Sequence, residues 1–211
     1  MTVRDIHKTS GKYGFVILFF LLSWSSNAQT WAFEMWHEGR IVLVDGDTLK
    51  GLIKYDINQD VIQYTWRDQR VEAFSARKVL FYEIFDNSVR KYRQFFALPY
   101  SNVGSYRTPI FFELLEEGKL TLLSREKLEY RTQYTGFYGS SYQRLVLVYD
   151  YYFLEEDGSI KAFNGDRRDL LDKMGRLSDD VEDYMRENRL RLEDKYDFVK
   201  IVAFYNGYFK T

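Results

Sequence analysis

The chain contains no cysteine. Disulfides, thiolate zinc sites, iron–sulfur ligation, a cysteine nucleophile and a lipid anchor on an N-terminal cysteine are therefore all excluded. Histidine is almost as scarce, with His7 and His37 alone, so a nucleophilic triad or an imidazole zinc site has too few rings to draw on. Two prolines and 13 glycines exclude a proline-rich rod and a collagen repeat. Neither sign of charge dominates, since 30 Lys and Arg face 31 Asp and Glu, and such a balance sets up no long-range field toward nucleic acid. No phosphate-binding loop, dinucleotide fingerprint or Gly-x-Ser-x-Gly elbow occurs, and the segment 136–141 satisfies none of them.

What is present is apolar and aromatic. Hydrophobic residues make up 45% of the 211, aromatic ones 18% and charged ones 29%, which supplies a core and a solvated surface and excludes a wholly disordered chain. The first twelve residues carry Arg4, Lys8 and Lys12 against Asp5, and an apolar run follows over 14–22. That run is too short to span a bilayer comfortably, and Ser26 and Ala28 stand at the small-residue positions of a signal-peptidase site. We expect a signal peptide over 1–28, cleaved after Ala28. Its removal takes three cations and one anion and leaves 183 residues with net charge −3. No stretch of about 20 apolar residues follows, so no transmembrane helix is expected in the mature chain.

Residues 29–163 read as a β-rich domain. Strands are expected over 40–44, 48–55, 61–66, 71–74, 79–85, 90–96, 110–115, 120–123, 145–154 and 159–163. Asp45-Gly46 favours the positive torsions of a tight hairpin turn, and the acidic glycine turns at 116–118 and 156–158 punctuate later pairs. The run 145–154 is nearly continuously apolar and suits a strand buried on both faces. From 164 the period changes to that of helices. Asp166 and Gly175 bracket the first, Ser178 and Asn188 the second, and Asp194 opens a third whose apolar face is Phe198, Ile201, Val202, Tyr205, Tyr208 and Phe209. The expected fold is α+β: a mostly antiparallel sheet, sandwich or partial barrel, followed by three short C-terminal helices that form a cap over 164–211.

Several of these stretches are similar to a family of exported Bacteroidota proteins with a Gly-Asp-Thr-Leu-x-Gly-x-Ile β-rich module, found alone or ahead of outer-membrane β-barrels. The residues that carry the likeness are Gly39 to Ile53, in which Gly46 to Leu49, Gly51 and Ile53 match the motif, the strand entry 74–79, the hairpin 112–120, Tyr151 to Phe153, and the closing helix 200–206. The resemblance implies an exported envelope protein and supplies no catalytic residue. This chain departs from the barrel-fused members in ending soon after a helical segment, whereas barrels normally close with a terminal strand.

The chemistry-bearing residues are few. His37, with Glu34 and Glu38, reads as a partly exposed position near the mature terminus rather than a metal site. Asp56, Asn58 and Asp60 alternate like hard-cation ligands, yet Val61 stands where an EF-hand needs glycine and Arg67 where it needs glutamate, so turn chemistry is expected instead. The basic cluster 90–93 reads as a solvated strand face. No metal, no cofactor and no catalytic residue is assigned. The one feature above background is the loop 131–143 together with the Tyr130 that precedes it, where Tyr130, Tyr134, Phe137, Tyr138 and Tyr142 are mixed with glycine and serine. Tyrosine offers a flat apolar face with a hydroxyl, and small neighbours let it adapt, the composition of many glycan- or peptide-binding surfaces. Tyr100 and Tyr106 from the other long loop would extend it, while the opposing reading folds these rings back on the sheet.

The expectation is a non-catalytic module, periplasmic or outer-membrane associated, that binds an envelope protein or a cell-surface polymer and not nucleic acid. Two alternatives stand beside it. A carboxylate-dependent glycan hydrolase would show a deep cleft with two carboxyls roughly 5 to 10 Å apart, one of them with a raised pKa. A structural or assembly component would show an exposed apolar patch or a free sheet edge.

Overall fold

A computed structural model describes residues 31–67, 70–101, 106–134, 136, 139 and 141–210. The expected leader lies outside the described residues, as do Phe137 and Tyr138. The described residues form an α+β fold with one antiparallel sheet of ten strands, not closed, followed by C-terminal helices. The strands are β1 (His37–Leu43), β2 (Thr48–Asp56), β3 (Val61–Thr65), β4 (Glu72–Ser75), β5 (Val79–Asp86), β6 (Lys91–Tyr100), β7 (Thr108–Glu116), β8 (Thr121–Tyr134), β9 (Ser141–Leu154) and β10 (Ile160–Phe163). The helices are α1 (Arg167–Met174), α2 (Ser178–Glu187) and α3 (Lys195–Gly207).

The spatial order β10-β9-β8-β7-β6-β5-β1-β2-β3-β4 contains one jump, from β4 at one end back to β5 beside β1. In a flat sheet that jump would cross four strand spacings, about 19 Å. Ser75 and Val79 are only four residues apart, a reach of about 13–14 Å, so the first strands must coil toward β5. Val44 N–H donates to the Lys78 carbonyl at 3.1 Å, which fixes the end of the connection beside β1. The inside of the coil holds Ile41, Ile53, Tyr55, Tyr82, Ile84 and Phe95, all buried.

Local chemistry shapes the turns as expected, with one refinement. Gly46 alone takes a positive φ, +98°, and its N–H donates to the Leu43 carbonyl while Leu43 N–H donates to Asp47. The turn before β10 repeats this arrangement, with Gly158 at φ +78° and Glu155 N–H donating to Ser159. The Asp56 carboxylate accepts from the N–H groups of Asn58 and Gln59, an aspartate turn as anticipated.

The helices pack on the β7–β10 half. Leu122 and Phe153, cross-strand partners, meet Leu170, Met174, Val181, Met185, Phe198, Ile201 and Val202 in one cluster. Asp166 accepts from Arg168 N–H and Asp194 from Tyr196 and Asp197 N–H, the N-caps read in the sequence, and Gly175 ends α1 at φ +57°. Tyr208 and Phe209 are exposed, so the apolar face of α3 is narrower than expected. Asn206 extends it with polar chemistry: its side chain accepts from Leu120 N–H and donates to the Leu120 carbonyl, both at 2.9 Å, and clamps the β7–β8 turn. Gly118 leaves room for that clamp, since a Cβ there would stand 2.5 Å from the Asn206 amide.

Four expectations need correction. Residues 131–134 and 141–143 are strand and not loop: β8 and β9 remain paired from Thr121↔Leu154 to Tyr134↔Ser141. Their backbone finds cross-strand partners while their polar side chains stay in water, so polar composition did not prevent strand formation. In β9 only Tyr151, Tyr152 and Phe153 are buried, not the whole run. His37 is buried, at 1% exposure, because it opens β1 on the inner face. Its Nε2 lies 2.7 Å from the Ala32 carbonyl oxygen and its Nδ1 3.3 Å from that of Phe85. The basic cluster divides as well: Tyr92 is exposed, but Arg93 points inward and is buried.

Candidate functional site

Arg93 is the centre of a buried ionic knot. Its Nε and Nη2 donate to the two oxygens of Glu113 at 2.9 and 2.8 Å. Nη2 also reaches Glu126 at 2.6 Å, and Nη1 reaches Asp86 at 3.1 Å and the Tyr55 hydroxyl at 2.9 Å. The Tyr55 hydroxyl in turn donates to Glu126 at 2.7 Å, and Lys195, from the start of α3, donates to both oxygens of Glu113. Five strands and one helix therefore meet on six side chains. Burial pushes the Glu113 carboxyl up, but Arg93 and Lys195 outweigh it and pull the pKa down to about 2. Burial likewise opposes ionisation of Asp86, and there the Ser88 hydroxyl and N–H together with Arg93 prevail and lower its pKa.

The knot contains a carboxylate pair, Glu113 and Glu126, gathered on one guanidinium nitrogen. The cavity beside it measures about 30 Å³, room for a water molecule and far less than a sugar ring needs. Its opposite wall is Asp60, whose carboxylate accepts from Phe111 N–H and pairs with Arg125 at 3.1 Å. Burial raises the Asp60 pKa against the pull of Arg125. The knot is thus a carboxylate pair without a cleft, and its charges are committed to one another. Among the described residues no group of three or more histidine, aspartate or glutamate side chains is placed to hold a metal ion.

Space and exposed chemistry lie on the other face of the same strands. Because side chains alternate along a strand, Glu83 and Phe85 of β5 and Tyr92 and Gln94 of β6 face outward where Asp86 and Arg93 face inward. Glu83, Phe85 and Tyr92 join Glu38 and Arg40 of β1 and Lys50 and Leu52 of β2 around a groove of about 700 Å³, closed at one side by Trp66 and Arg67. Tyr92 is 70% exposed and Trp66 44%. The Phe85 and Tyr92 rings meet edge to face at 5.1 Å, and the Arg67 guanidinium lies 5.0 Å from the Trp66 ring centre. Glu83 is held by Arg40 at 3.2 Å and by the Gln94 amide at 2.7 Å, so the polar groups of the floor have fixed directions. Gly39 and Gly51 are cross-strand partners beneath the groove, and a Cβ on either would run into a neighbouring backbone carbonyl oxygen, that of Glu83 at 2.1 Å for Gly39 or that of Thr65 at 2.6 Å for Gly51.

The tyrosines singled out in the sequence sit elsewhere. Beyond Ser124 and Tyr151 the β8–β9 pair has no further strand beside it among the described residues, so 125–134 and 141–150 form a two-stranded arm, about 33 Å long at the usual strand rise. Tyr130 and Tyr134 share one face of its tip, 71% and 81% exposed. Tyr142 pairs with Gln133 on the other face and donates its hydroxyl to the Gln133 side chain at 2.5 Å. Tyr100 does not join them. Its ring packs edge to face on Phe112 and Tyr152 in a separate apolar cluster, while Tyr106 is exposed. Sequence reasoning missed the groove because its residues come from four strands and from the segment after β3. The one signal was the paired glycines that flank the first hairpin.

Comparison of the chain with models of protein families, with curated proteins and with solved structures returns no match.

Proposed function

We propose that the protein is an exported, non-catalytic binding module of the cell envelope, and that its ligand is an extended polar polymer of the glycan class lying along the Trp66–Tyr92 groove. The observation that carries this reading is the composition of that groove. It pairs exposed aromatic faces with charged side chains, of which Glu83 and Arg40 hold one another in direction, on an antiparallel sheet with about 700 Å³ of open space. Sugar rings offer apolar C–H faces and a rim of hydroxyls, and such a surface meets both. The buried knot, by contrast, offers a hydrolase no room for substrate. Export rests on the leader-like first 28 residues and on the resemblance to exported Bacteroidota proteins.

The test is sedimentation of the purified protein with isolated cell-wall sacculi and, separately, with extracted surface polysaccharide. Wild type is compared with Trp66→Ala/Tyr92→Ala and with Tyr130→Ala/Tyr134→Ala. We expect polymer binding to fall at least tenfold in the first double variant and to persist in the second. Loss in the second with retention in the first would move the binding surface to the tip of the arm. Absence of binding to both polymers by wild type would overturn the reading.

A further inference from the structure

The outer edge of β9 carries a second surface. β10 pairs with β9 only from Ile160↔Leu154 to Phe163↔Tyr151, and the chain then turns away through Asn164 and Gly165 into α1. The next ten residues of β9, 141–150, have β8 on one side and no strand on the other among the described residues. Every second residue of such an edge directs its N–H and C=O away from the existing partner, a ready template for another strand.

A groove of about 510 Å³ runs beside this edge where β10 leaves it. Residues 147–151 of β9 line it without interruption. Successive side chains of a strand point to opposite faces, so a lining of five consecutive residues marks a groove that follows the edge itself. The far wall is Phe163, Asn164 and Gly165, with residues 192–196 at the start of α3. Tyr151 lines the groove, is 92% buried, and its hydroxyl has no hydrogen-bond partner among the described residues. A buried, unpaired hydroxyl is costly unless a partner arrives.

We infer that this edge groove receives an extended segment of another polypeptide, which adds a strand to β9 in the lane of β10 and antiparallel to β9. At 3.3–3.4 Å per residue the groove takes about four or five residues. Main-chain pairing supplies the affinity and alternate side chains the selectivity. The side chains on the helix side meet Leu147, Tyr149 and Tyr151 and are apolar. Those on the other side meet Val148 and Asp150, where Asp150 is paired with Lys127 at 2.8 Å, and are polar. This surface is separate from the Trp66–Tyr92 groove and does not depend on it. With both occupied, the protein would join a polymer to a protein partner.

The probe is a displayed library of linear twelve-residue peptides, panned on the purified protein, with enriched peptides resynthesised. The expected peptides alternate apolar and polar residues, slow hydrogen exchange in 141–150 on binding, and lose at least tenfold in affinity when N-methylated at every second position but not at the positions between. Tyr151→Phe is expected to leave the free protein at least as stable, because it removes an unpaired hydroxyl, and to weaken the same peptides several-fold. Trp66→Ala/Tyr92→Ala is expected to bind them as wild type does. Failure to enrich any peptide, affinity indifferent to N-methylation, or protection confined to residues outside β9 would each overturn the inference.

Discussion

The two faces of β5 and β6 are built from the same kinds of residue and do opposite work. On the inner face Arg93 meets Asp86, Glu113 and Glu126 in a space with room for one water molecule. On the outer face Arg40 meets Glu83 over a groove of about 700 Å³. The difference is water. Away from solvent every charge must be matched within the protein, so the inner ions fix which strands meet and nothing remains to recognise a ligand. In solvent the outer ions are worth little to the fold and stay available for one.

The same substitution made on each face tests this contrast most severely. Arg93→Met leaves three carboxylates without their common cation and is expected to cost about 3–5 kcal/mol, read as a large drop in the denaturation midpoint or a failure to fold. A smaller effect of the same origin appears on acidification. The Glu113 pKa in the folded protein, about 2, lies below its ordinary 4.5, so this carboxylate stabilises the fold in full above pH 4.5. That contribution, on the order of 3 kcal/mol at most, is lost as the pH falls from 4.5 toward 2. Urea titrations across that range should show the decline, and Glu113→Gln should flatten it while lowering stability at neutral pH.

Arg40→Met, the outer counterpart, is expected to change stability by less than about 1 kcal/mol and to weaken polymer binding several-fold in the sedimentation assay. A stability loss comparable to that of Arg93→Met would break the comparison. The smallest effect is expected at the arm, where Tyr130→Ala/Tyr134→Ala removes exposed rings and should shift stability by about 0.5 kcal/mol or less with polymer binding intact. A melting curve and the same assay check both points.

The turns and caps were legible because each depends on a few neighbouring residues. Gly46 and Gly158 close their hairpins, Asp56 organises its own turn, and Asp166 and Asp194 cap their helices with local hydrogen bonds. The arm was not legible, because a strand as polar as 124–134 shows itself only when its partner is known. Arg93 was misread for a related reason. A lone arginine beside Lys91 and Tyr92 looks solvated, and the carboxylates that let it enter the interior stand 7, 20 and 33 residues away in sequence. Asn206 gave no signal either, since its partner Leu120 is 86 residues distant.

By itself the sequence determined the class of fold, the turns and caps, and the chemistries that lack residues. Those properties follow from composition and from contacts within a few positions along the chain. The tertiary structure alone decided the coil of β1 to β5, the ionic knot and the two grooves. Each arises where side chains from distant strands meet, and whether a charge there becomes part of the fold or part of a surface depends on how much water the packing leaves around it.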